Sequence, residues 1–134
     1  MFTEKEIAYL QSQRLGRLAT VAPTQQPDVA PVSFEFDGTY FYVGGFDVTK
    51  TLKYKNVLAG QQQVAFVVDD LASTNPWTPR GIKLHGTAEI VERPGSYGSP
   101  TKLRITPLRS WSWGIEEAAF KDGKPVSNKA KRPA

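Results

Sequence analysis

The sequence predicts a mainly β protein, a closed or partly closed antiparallel barrel. Three observations carry that expectation: six strand-like segments set apart by turn signals, two short helical stretches, and no internal repeat. The N-terminus opens with a helix. Thr3 is its N-cap, Glu6 completes a capping box, and Phe2 with Ile7 forms a hydrophobic staple. Ile7 and Leu10 then share one face of a helix running to about Gln13. "RLGRLATVA" (14–22) reads as the first strand, "PTQQPD" as a turn, and "VAPVSFEF" (29–36) as the second strand. Asp37-Gly38 predicts a two-residue type I′ hairpin turn into a third strand, "TYFYVGG".

A second helix of two or three turns follows in "DVTKTLKYKNVLAG", with Thr49 as N-cap, Leu52 and Val57 facing inward and Gly60 as the C-terminal stop. "QQQVAFVVDD" is a continuous apolar run, the pattern of a strand buried on both faces. After the loop "LASTNPWTPR", the stretch "GIKLHGTAEIVE" alternates Ile82, Leu84, Gly86, Ala88 and Ile90 with Lys83, His85, Thr87 and Glu89, as a half-exposed strand does. "RPGSYGSPT" turns the chain into a last strand that places Trp111 and Trp113 on one face.

One domain over residues 1–120 is expected, with residues 121–134 as a mobile basic tail. That tail holds five basic residues and one acid, which accounts for the whole net charge of +4 and leaves a body with 12 of each sign. Global basicity therefore says nothing about a nucleic-acid partner, and none is expected. The chain has no cysteine, so disulfides, thiolate nucleophiles and Cys-ligated zinc are excluded. No apolar run reaches the roughly 18 residues of a membrane span, and "MFTEKEIAYL" lacks the form of a signal peptide; a soluble, cytoplasmic protein is expected.

The chemistry concentrates where charge is locally unbalanced. Lys50, Lys53 and Lys55 open a helix, where the backbone favours anions, and no Asp or Glu occurs from Val48 to Val68. With Thr49, Thr51 and Asn56 they offer ammonium, hydroxyl and amide donors, the set that holds a phosphate; a solvated lysine face is the alternative. In "NPWTPRG", Pro76 and Pro79 stiffen a loop carrying Trp77 and Arg80, which suits a planar or anionic ligand as well as it suits a plug for a barrel end. Trp111 and Trp113 read as core or interface. His85 is the single histidine and sits on a polar strand face. With no Gly-x-Ser-x-Gly elbow, no Gly-x-Gly-x-x-Gly and no Walker loop, any catalysis is left to a redox cofactor.

The segments "GRLATVAP", "DVAPVSFEFDG", "YVGGFDVTKTLKYKNV", "VAFVVDDL", "NPWTPRGIKLHGTAEIV" and "SWSWGI", in that order from Phe2 to Ile115, resemble the pyridoxamine 5′-phosphate oxidase-like split β-barrel proteins, and within them the small branch of deazaflavin-dependent enzymes. The resemblance implies a six-stranded antiparallel split β-barrel with two short helices, and a homodimer with its cofactor in a groove at the interface. It implies that Lys50, Thr51, Lys53 and Asn56, with Thr49 and Lys55 beside them, grip the cofactor phosphate. Val32, Ser33 and Phe34 lie beside the ring system, and Trp77, Pro79, Arg80 and Gly81 close the site. The implied cofactor is coenzyme F-420, an 8-hydroxy-5-deazaflavin, with FMN as the alternative. The implied activity is hydride transfer to a small quinone- or enone-like electrophile; an FMN-dependent oxidase or reductase and a non-catalytic cofactor-binding protein are the rivals. No Arg-x-His stretch near the C-terminus matches the substrate-holding residues of true pyridoxamine phosphate oxidases, and no side chain stands out as a general acid.

Overall fold

A computed structural model describes all residues from Met1 to Ala134. Helix α1 (Glu4–Ser12) starts as its sequence dictates: the Thr3 hydroxyl accepts from the Glu6 amide, and the Glu6 carboxylate accepts from the Thr3 amide at 3.0 Å. Strands β1 (Leu15–Val21) and β2 (Pro27–Phe36) form a hairpin, and β3 (Phe41–Val43) returns along β2. A 3₁₀ turn (Val48–Lys50) and helix α2 (Leu52–Leu58) lead to three long strands, β4 (Gln63–Thr74), β5 (Trp77–Glu92) and β6 (Thr101–Trp113). The strand order β3-β2-β1-β4-β5-β6 closes through pairing of β3 with β6, giving the six-stranded antiparallel barrel with two helices.

Register explains the core. Leu18 of β1 pairs with Phe66 of β4, which pairs with Leu84 of β5, so one inward layer crosses three strands. Phe41 opposite Ile105 closes the seam with both side chains fully buried. The Phe66 ring needs Gly16: a Cβ there would stand 2.4 Å from its Cζ. Phe34 meets Phe66 edge-on at 5.4 Å, and Phe2 from the helix entry meets Phe36 in the same way at 5.5 Å, so α1 plugs the barrel beside β2.

Six local expectations are corrected. The Asp37 turn spans four residues, with the Asp37 carboxylate accepting from the amides of Thr39 and Tyr40, because Phe36 already pairs with Phe41. Asp47 caps the 3₁₀ turn and Thr51, rather than Thr49, caps α2; Leu52 is exposed, while Val57 packs inward. Strand β4 is not buried on both faces: Val64, Phe66 and Val68 point into the barrel and Ala65 and Val67 form half-buried outer wall. Residues 71–80 are hairpin rather than loop, since β4 and β5 continue to a turn at Asn75-Pro76. The basic C-terminal stretch forms a small hairpin of β7 (Phe120–Lys121) and β8 (Lys124–Pro125), then β9 (Asn128–Lys131), which pairs with β6 from Arg109 to Ser112. No helix is long and apolar enough to cross a membrane.

Candidate functional site

Two cavities meet on one side of the barrel. The first, about 470 Å³, lies between β2 and the segment following β3; Val32 and Ser33 form one wall, and Lys50, Thr51 and Lys53 the other. The second, about 430 Å³, continues along β2 past Phe34 and Glu35 and reaches Arg14, Arg93 and Lys102. Ser33, Gly44 and Gly45 line both, so the two form one groove with a waist at that point.

The first cavity has the lysine charge without much of a helix dipole. Helix α2 has only seven residues, too short to supply much of a macrodipole. The four salt bridges of the chain all use arginine, so Lys50, Lys53 and Lys55 have no carboxylate partner within ion-pair distance. Burial pushes the Lys53 ammonium below the usual lysine range, opposed by the Asp28 carboxylate. An ammonium that has given up water without gaining a counter-ion is poised for an anion. Asp47 makes no ion pair with these lysines: its carboxylate accepts from the Thr49 hydroxyl at 2.6 Å and amide at 3.0 Å, which together with the more distant charges of Lys50 and Lys102 holds it below the ordinary range.

Val32, Ser33, Lys50, Thr51 and Lys53 are therefore brought together, and Phe34 joins at the second cavity while its ring packs into the core. The remaining expected residues lie elsewhere. Thr49 is turned to Asp47 and Lys55 is exposed away from both cavities. Asn56 is 2% exposed and donates to the Thr20 hydroxyl at 2.9 Å, tying α2 to β1 rather than facing the groove. Arg80 is held by Asp70 through Nε at 2.7 Å and Nη2 at 2.9 Å and stacks on Tyr9, whose hydroxyl also donates to Asp70. Its guanidinium is spent on fastening α1 to the β4–β5 hairpin. Gly81 is buried against Trp113 and Asp69, and Trp77 and Pro79 line a separate cavity with Ile115 and Phe120. His85 packs its ring against Trp111 at 4.8 Å, and no cluster of three metal-ligating side chains exists.

Lys102 is the residue that sequence reasoning misses. Its ammonium is buried, donating to the backbone carbonyls of Gly45 at 2.9 Å and Tyr97 at 2.6 Å. The signal was the Gly44-Gly45 pair: a Cβ on Gly44 would stand 2.5 Å from the Lys102 Cδ, so the lysine stem occupies the space a side chain would take.

The comparisons with known proteins follow this geometry. The profile described as "Pyridoxamine 5′-phosphate oxidase" matches residues 2–125. A "5a,11a-dehydrotetracycline/5a,11a-dehydrooxytetracycline reductase" of Streptomyces rimosus subsp. rimosus is 43% identical over 122 residues, covering 86% of this chain and 84% of the relative. Among solved structures, a conserved hypothetical protein of Mycobacterium tuberculosis superposes with a TM-score of 0.63 at 27% identity, covering 84% of this chain and 85% of its own. A structure described as "F420 Reductase" superposes with a TM-score of 0.59 at 25% identity, covering 76% and 93%.

Proposed function

The chain belongs to the pyridoxamine 5′-phosphate oxidase family, and from that premise we propose that it is an oxidoreductase that uses reduced coenzyme F-420 to reduce a conjugated ketone. One observation carries the cofactor reading: a groove walled by two lysines without carboxylate partners opposite the Val32–Ser33 strand edge. Similarity to a structure described as an F420 reductase supports the deazaflavin, and similarity to a dehydrotetracycline reductase supports a conjugated, oxygen-bearing acceptor.

The residues fit a phosphate-bearing cofactor. Lys50 and Lys53 neutralise the phosphate, the Thr51 hydroxyl donates to the Val48 carbonyl and so fixes the turn that carries them, and the Val32–Ser33 strand edge offers a flat wall to a ring. When bound, the reduced coenzyme supplies a hydride and the protein leaves that chemistry unchanged. The chain's own part is to hold the cofactor at both ends, to present the second cavity to the acceptor, and to fix their mutual orientation.

Trp77 and Pro79 line neither cavity of their own chain, and a homodimer reconciles this with a role at the site: each hairpin tip serves the other chain's groove. The exposed Trp77 ring and the exposed outer-wall side chains of Leu15 and Val29 support it. Light scattering on the purified protein reads the mass directly.

The test of the main reading is equilibrium binding of coenzyme F-420 and, separately, FMN, followed by fluorescence. Preference for F-420 is the expected result. Preference for FMN replaces the cofactor while keeping the groove, and binding of neither returns the lysines to a solvated face.

A further inference from the structure

Lys102 is 6% exposed and has no carboxylate within ion-pair distance, although the Asp47 carboxylate lies near enough to interact with it. An ammonium has three N–H donors, and the two carbonyls of Gly45 and Tyr97 use two of them. Its side chain lines the second cavity, so the remaining donor has that space to serve. Arg14, in the same wall, makes no hydrogen bond within the chain and is exposed. Arg93 is different: it pairs with Glu35 at 3.2 Å and lies over the Tyr42 ring at 3.8 Å. The cavity therefore holds two cations with no carboxylate within ion-pair distance, Asp47 being the acid whose charge reaches Lys102. Only three of its thirteen lining residues are hydrophobic, which disfavours an apolar acceptor.

The geometry points to the second cavity as the acceptor pocket for an oxygen-rich, enolate-forming ketone, with Lys102 as the group that holds its carbonyl oxygen. This rests on the F-420 reading, because β2 runs from the phosphate groove through the Ser33 waist to this cavity and so puts the ring end of the cofactor here. The phosphate end is already served by Lys50 and Lys53, and Lys102 lines the other side of the waist.

The step balances. A reduced coenzyme held in the groove would supply a hydride, two electrons and one proton, to the carbon β to the acceptor carbonyl. The C=C π pair would then move to make an enolate, and Lys102 would hold the carbonyl oxygen as it takes up negative charge. A proton from water entering the open cavity then completes the α-carbon, so the acceptor has gained two hydrogens and the coenzyme is left oxidised. A fixed, desolvated cation at the oxygen that gains charge stabilises the transition state more than the ground state. Gly45 and Tyr97 hold that cation in place beforehand.

The probe is tetracycline, a fused-ring keto–enol compound, titrated in metal-free buffer against coenzyme-free protein and protein loaded with oxidised F-420, with fluorescence as the readout. Wild type binds it saturably; Lys102→Met weakens binding by about tenfold or more, the scale of a lost charge-assisted hydrogen bond, and weakens the probe more than it weakens F-420. Arg14→Gln, at an exposed position with no hydrogen bond within the chain, weakens the probe severalfold and tests the pocket if Lys102→Met does not fold. Unchanged probe binding in the variants, or no saturable binding in wild type, overturns the pocket assignment. Loss of F-420 binding in wild type with a probe response that still depends on Lys102 overturns the coenzyme reading alone.

Discussion

Lys53→Met separates ligand binding from stability. The substitution keeps most of the stem volume and removes the ammonium, which is half-buried, has no carboxylate within ion-pair distance, and has a pKa lowered mainly by burial. A charge-assisted hydrogen bond contributes about 1.5–3 kcal/mol when its partners are shielded from water. At about 1.4 kcal/mol per factor of ten, the Kd for F-420 rises roughly ten- to a hundredfold. Lys50 is exposed, so Lys50→Met costs about 1 kcal/mol or less, and Lys55→Met, away from both cavities, leaves the Kd unchanged. The thermal midpoint of the cofactor-free protein moves the other way or not at all in Lys53→Met, because folding no longer desolvates an unpaired charge. The pH dependence has a definite sign. With the folded pKa below the unfolded one, the unfolded chain binds more protons between the two, so stability of the free protein rises with pH across that window while affinity for the phosphate falls. Fluorescence titration of the three variants reads the order; equal Kd values for Lys53→Met and wild type, or an effect of Lys55→Met as large as that of Lys53→Met, refute the groove assignment.

Two structural predictions follow. The hydrogen bonds from Arg80, followed by that from Tyr9, hold the Asp70 carboxyl below its ordinary range, so its contribution to stability is present above the usual carboxylate pKa and lost as pH falls through the depressed one. Asp70→Asn therefore lowers stability at neutral pH by about 1–2 kcal/mol, discounted for the partial exposure of the pair, and denaturant midpoints of variant and wild type converge in acid; a gap constant with pH refutes this. Gly98 has φ +70°, and a Cβ there would stand 2.4 Å from the Phe46 carbonyl oxygen, which accepts from the Ser99 amide at 2.7 Å. Gly98→Ala costs at least about 1–2 kcal/mol for the left-handed backbone alone and more for the clash, read as a lowered midpoint in thermal denaturation; a wild-type midpoint refutes it.

The fold was legible because most of its information is periodic and local. The alternation of Ile82, Leu84, Gly86 and Ala88 with polar partners states which face of β5 is inside, and Thr3 with Glu6 states where α1 begins. What failed was decided by pairing across the barrel. The run Val64–Val68 is apolar throughout, yet the curvature of a closed wall leaves Ala65 and Val67 facing outward, an environment that small and β-branched side chains tolerate and that periodicity cannot distinguish from burial. The polar tail carries no strand signal, and its β9 exists only because the edge of β6 from Arg109 to Ser112 is there to receive it.

The site divides along the same line. Lys50 and Lys53, with Thr51 between them, were legible as a charge imbalance within one segment, which the fold offsets only at a distance, with Asp47 near Lys50 and Asp28 toward Lys53. Asn56 and Arg80 look equally functional in sequence, but their partners Thr20 and Asp70 come from other strands and satisfy them. Lys102 is the opposite case, an unremarked lysine in a strand that becomes a buried cation because Gly45, 57 residues away, and Tyr97, five residues away, turn their carbonyls to it. Its seat needs the missing side chain of Gly44. Two adjacent glycines before a basic segment thus do separate work, one clearing a path for a lysine from β6 and the other accepting its hydrogen bond, and the cation they fix stands at the waist where the lysine groove opens into the second cavity.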